Sequence, residues 1–67
     1  MDRLTPREYQ VAMLVAHGLS NRDVAHQLGI TVGTVKLHMH QIRKKLGVKT
    51  KSEAVLMVLR DGPKRSG

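Results

Sequence analysis

Apolar residues recur at intervals of three and four along most of the chain, and capping signals break that rhythm into four blocks. In the first, Val11, Leu14 and Val15 fall at helical spacing behind Leu4-Thr5-Pro6-Arg7-Glu8. Thr5 suits the N-cap and Pro6 the first helical position, while Glu8, three residues on, completes a capping box. Leu4 and Tyr9 occupy the two positions of a hydrophobic staple, and Gly18 suits the left-handed residue just past the end. Ser20 opens a short second helix, about Asn21 to Leu28, with Asp23 placed to favour its N-terminal dipole. Val24, Ala25 and Leu28 supply its buried stripe, and Gly29 ends it. Thr31 caps a third helix that runs to about Leu46, before Gly47. Thr50 and Glu53 form another capping box and open a fourth helix carrying Ala54, Val55, Val58 and Leu59. No segment alternates with the period of a strand. The pattern predicts an all-α domain of four helices over residues 1–61, with a breaker-rich, frayed tail at 62–67.

The second and third helices are separated only by Gly29-Ile30-Thr31. A short turn containing Gly, between a short helix and a longer one, is the helix-turn-helix layout, and Ile30 is placed to plug the angle. Wound at about 100° per residue, the third helix gathers Val35, Met39, Ile42 and Leu46 into a narrow core stripe. Its opposite side holds Gly33, Leu37, His40, Gln41 and Lys44. Lys36 and Arg43 flank that side on one edge; Thr34, His38 and Lys45 flank it on the other. Hydrogen-bonding side chains at the centre suit base edges in a major groove, and cations at the rims suit phosphates. Leu37 is the odd member. Single exposed leucines are common, and the same side chain also suits contact with thymine methyl groups. On the fourth helix, Val55, Val58 and Leu59 share the inward side, which leaves Leu56 and Met57 outside as a small partner surface or as incidental exposure.

Charge strengthens the nucleic-acid reading without deciding it. Twelve Lys+Arg against five Asp+Glu give a formal net charge of +7 over 67 residues. No acidic residue lies between Val24 and Ser52, a stretch that includes Lys36, Arg43, Lys44, Lys45, Lys49 and Lys51. Such a face suits a polyanion, although charge alone fits a solvated lysine-rich surface equally well. With Tyr9 as the one aromatic residue, single-strand binding by base stacking is disfavoured. The absence of Cys removes disulfides and thiolate metal sites. His38 and His40 stand two residues apart, on different sides of a helix, and metal-binding pairs prefer a spacing of four. No metal or cofactor is expected. Asp23 and Glu53 read as helix-start residues and no phosphate loop is present, so catalysis is not expected either. The apolar runs fall far short of the roughly 20 residues that span a bilayer, which predicts a soluble chain. Two rivals keep the basic surface but not its use: a protein-interaction module built on the fourth helix, and a basic bundle at an anionic membrane.

Several segments carry a family resemblance. Leu4 to Glu8, Gly18-Leu19-Ser20-Asn21-Arg22-Asp23-Val24-Ala25, Leu28 to Thr31, Thr34-Val35-Lys36-Leu37-His38 and Lys45-Leu46-Gly47-Val48 together resemble LuxR-type (GerE-like) helix-turn-helix domains, from about Leu4 to Leu59. The resemblance implies a bacterial transcription regulator's effector domain, as in response regulators, that binds double-stranded DNA as a dimer with its third helix in the major groove. By position it implies base contacts from Lys36, Leu37 and His40, to which Gln41 is added from the wheel. It implies phosphate contacts from Asn21, Thr31 and Thr34, and the basic residues Arg43, Lys44, Lys49 and Lys51 join them as further candidates. It implies a homodimer through the fourth helix, where the outward Leu56 and Met57, with Arg60, are the candidate interface residues. RNA polymerase is a further partner, and the expected location is the bacterial cytoplasm, at the nucleoid when bound. Gln10 and Gly33 depart from residues common at their positions. Gly33 lowers helix propensity by about 1 kcal/mol relative to Ala, and would permit close backbone approach to DNA.

Overall fold

The computed structural model describes residues 4–61, which form α1 (Pro6–Ala16), α2 (Asn21–Leu28), α3 (Val32–Leu46) and α4 (Lys51–Asp61), with no strand among them. The tail expected at 62–67 lies outside the described residues.

Each helix begins where its cap predicts. The Thr5 hydroxyl accepts from the Glu8 amide at 3.1 Å, while the Thr5 amide donates to Glu8 Oε1 at 2.8 Å. Ser20 and Asp23 make the same reciprocal pair, so Asp23 closes a full capping box rather than acting through the dipole alone. At α4, Glu53 Oε1 accepts from the amides of Lys49 and Thr50 at 3.1 and 3.2 Å. α3 differs. Its first turn holds no acid: Thr31 Oγ1 accepts from the Thr34 amide at 3.1 Å and pairs with Thr34 Oγ1 at 2.9 Å. The turn between α2 and α3 requires its glycine, because Gly29 sits at φ 69°, a backbone region unfavourable to residues with a Cβ. Ile30 then donates its amide to Ala25 O at 2.9 Å and tucks half-buried against the core.

The core draws on every helix. Val11, Ala12 and Val15 of α1 meet Val24 and Ala25 of α2, Val35, Met39 and Ile42 of α3, and Ala54 and Val58 of α4. α1 and α3 each touch all the other helices, whereas α2 and α4 flank them without meeting. α3, whose inner stripe includes the fully enclosed Val35 and Ile42, is therefore gripped along one side and free along the other. Leu4 and Tyr9, the expected staple pair, both pack half-buried against this core.

One expectation fails on α4. Helical period places Leu59 inward with Val55 and Val58, but it is 54% exposed, and Val55 is half-buried. The buried line runs instead through Ala54 and Val58, one turn apart, with Met57 half-buried rather than outward. With Ala54 and Val58 turned into the core that α1 and α3 share, the rotation of α4 leaves Leu56 and Leu59 facing solvent.

Candidate nucleic-acid interface

The free side of α3 is a continuous row. Lys36, His40 and Lys44 are all exposed and follow one another at four-residue steps, so they line up along one face. Leu37, 57% exposed, and Gly33 lie beside them. Gln41, Arg43 and Thr34 are half-buried and sit at the edges. The outward face is thus centred nearer His40, turned from the Leu37 centre that the wheel alone suggests. A Cβ built on Gly33 would meet only Thr31 Oγ1, at 3.8 Å, so no neighbour in the fold demands glycine there.

Other expected contact residues come from separate elements. Asn21 opens α2, is half-buried, and has its Oδ1 enclosed with no hydrogen-bond partner, a feature with no sign in the sequence. Thr31 is exposed at the start of α3, and Lys49 and Lys51 are exposed at the start of α4. Of the side chains expected at bases, Lys36, Leu37 and His40 therefore share one exposed helix face with Gln41 at its edge, while those expected at phosphates are spread over α2, α3 and α4.

The electrostatics favour an anion across this surface. Glu8, Asp23 and Glu53 each lie in the first turn of a helix and bond there to backbone amides. None of them is on α3. Burial pushes the Glu8 carboxyl up, but the Lys45 ammonium and the amide and hydroxyl of Thr5 outweigh it and hold the group below its ordinary value. For Glu53, the amides of Lys49 and Thr50 do the same. Lys45, which the sequence places among the rim cations, is instead in a 2.8 Å ion pair with Glu8. The partners are 37 residues apart, and no local spacing rule connects them. Among the described residues no group of three His, Cys, Asp or Glu could hold a metal ion, and no helix is long and apolar enough to cross a membrane. His17 and His26 are exposed, and His38 is half-buried.

The profile of the bacterial regulatory proteins of the luxR family, also called GerE, matches residues 2–58. The chain belongs to that family. It is a DNA-binding transcription-regulator domain, and its family is one of regulators, not enzymes. The nitrate/nitrite response regulator NarL of Escherichia coli K12 is 41% identical over 58 residues, covering 87% of this chain and 27% of that protein. The response regulator VraR of Staphylococcus aureus is 40% identical over 55 residues, covering 82% of this chain and 26% of the relative. The luxR-family chain thus spans about a quarter of the length of these curated relatives. The solved structure of the transcription factor GerE superposes with a TM-score of 0.82 at 37% identity, covering 90% of both chains. The phage VqmA–DPO complex superposes at 0.81 with 32% identity, over 28% of that chain.

Proposed function

We propose that residues 1–61 form a sequence-specific major-groove reader of double-stranded DNA that regulates transcription as a dimer on a two-fold-related site. The observation that carries this reading is the face of α3: Lys36, Leu37, His40 and Lys44 are exposed on a helix whose other side is locked into the core. Lys36 and His40 offer hydrogen bonds to base edges, Leu37 offers apolar contact to thymine methyls, and Gln41 reaches from the rim. Asn21, Thr31, Thr34, Arg43, Lys44, Lys49 and Lys51 hold phosphates, and Gly33 admits the DNA close to the helix backbone. The unneutralised N-terminus of α3 adds its dipole to that contact.

Dimerisation through α4 uses Leu56 and Arg60, both exposed, with the half-buried Met57 at the edge of the patch. The exposure of Leu59 adds a second apolar side chain one turn from Leu56. A two-fold axis there would set two α3 helices about 34 Å apart, in successive major grooves. The patch is small, so dimerisation is weak until DNA templates it. In a bacterial cytoplasm the domain would sit at the nucleoid when bound, where RNA polymerase is its second partner. The similarity to NarL and VraR supports the role of effector domain in a response regulator.

Duplex binding measured against ionic strength tests the reading. Four phosphate-bound cations, Arg43, Lys44, Lys49 and Lys51, predict that log K falls with log salt at a slope of about −3.6 or steeper per domain bound. A flat slope, or no duplex binding at low salt, would remove it. Binding to anionic vesicles without competition from duplex would favour the membrane rival.

A further inference from the structure

We infer that Lys45 is a positioning residue that sets the tilt of α3 for base reading, and is not a phosphate ligand. The inference rests on the proposed use of α3 in the major groove. Lys45 lies in the last turn of α3 beside Arg43 and Lys44, so by sequence it belongs with the DNA-facing cations. Its surroundings differ from theirs. The Lys45 side chain is 21% exposed and its partner Glu8 only 8%, with Nζ and Oε1 at 2.8 Å. The same Oε1 accepts the Thr5 amide, also at 2.8 Å. One carboxylate oxygen therefore ties the first turn of α1 to the last turn of α3, and the carboxylate is itself fixed by the helix cap it closes.

That tie matters because of where it sits. The N-terminal end of α3 is set by the turn at Gly29-Ile30-Thr31, and at the far end the Glu8–Lys45 pair adds a directional tie to the packing of Ile42 and Leu46 against the core. A helix of this length spans roughly 22 Å at 1.5 Å per residue, so a tilt of about 5° about its first residue moves the last by about 2 Å and the stretch from Lys36 to His40 by about 0.5–1 Å. Hydrogen bonds to base edges tolerate only a few tenths of an ångström around 2.7–3.2 Å. Attraction between a cation and a phosphate falls only as the inverse of distance. Releasing the far end of α3 should therefore cost sequence preference while leaving general DNA affinity nearly intact.

The test uses the 67-residue chain with Lys45→Gln, Glu8→Gln and Lys45→Arg, checked for folding by circular dichroism. Affinity is read on a duplex selected by the unsubstituted chain and on an unrelated duplex, each across a salt series. Lys45→Gln and Glu8→Gln should both lose about tenfold on the selected duplex and less than about twofold on the unrelated one, with the salt slope unchanged. Lys45→Arg should recover most of the loss. Glu8→Gln discriminates most sharply, because it frees a cation yet should still weaken selective binding. Equal losses on both duplexes for Lys45→Gln, with a slope shallower by about 0.9, would make Lys45 a phosphate ligand and overturn the inference. Unchanged affinity in both folded glutamine variants, or failure of both to fold, would reduce the pair to a stability element and overturn it as well. A flat slope for the unsubstituted chain would instead remove the DNA reading beneath it.

Discussion

α3 and α4 are built alike, yet they present different chemistry to the outside. Each buries one side in the same core and leaves leucine on the other: Leu37 on α3, Leu56 and Leu59 on α4. On α3 the exposed leucine stands beside Lys36, His40 and Lys44, and the helix starts without an acid. On α4 the two leucines lie one turn apart, and Glu53 occupies the first turn. Amphipathicity is common to both helices and so does not distinguish their partners. What separates them is the company each leucine keeps. A lone leucine among cations fits a groove lined by phosphates and thymine methyls, whereas a leucine pair fits a second apolar strip.

Substitutions on one helix at a time separate the two surfaces. Lys36→Ala on α3 should produce the largest change, about 1–3 kcal/mol on the preferred duplex, read by competition against unrelated sequence. Its thermal midpoint should barely move, because Lys36 is exposed. Leu56→Asp on α4 should lower affinity for a duplex with two half-sites by about tenfold while sparing a single half-site. Equal losses on both duplexes would take dimerisation away from α4. Leu56 serves this test better than the half-buried Met57, whose substitution would also disturb packing.

The smallest effect comes from acid. Glu8 and Glu53 have lowered carboxyl pKa values in the folded chain, so their contribution is present above the ordinary value of 4.5 and is lost as pH falls through the folded values. The thermal midpoint should hold from pH 7 to about 5 and then decline below about 4.5. Glu8→Gln should flatten part of that decline, and an unchanged curve would mean that the Glu8 bonds add nothing to stability.

Most of the fold was legible because its determinants are local. Thr5 with Glu8, Thr31, and Thr50 with Glu53 all announce helix starts within three residues, and Gly29 marks the turn. The stripe through Val35, Met39 and Ile42 follows from helical period alone. Tertiary choices were not legible. Periodicity alone gives no rotation of α4, which is set by its packing on α1 and α3, so the inward position it suggests for Leu59 fails. Helical period sets Lys45 at the edge of the outward side, apart from Lys44, but its ion pair was not legible, since Glu8 reaches it only through the packing of α1 on α3. Neither the half-burial of Gln41 nor the enclosed Asn21 Oδ1 follows from helical period or a capping signal.

The central claim is that the exposed row of α3 reads bases, and selection of bound duplexes from a random library tests it most directly. The unsubstituted chain should return two-fold-related half-sites with a fixed spacing. The same selection with Lys36→Ala should relax preference at one base position in each half-site and leave the spacing alone. An identical consensus from both chains would contradict the account, because sequence would then be read by some other face.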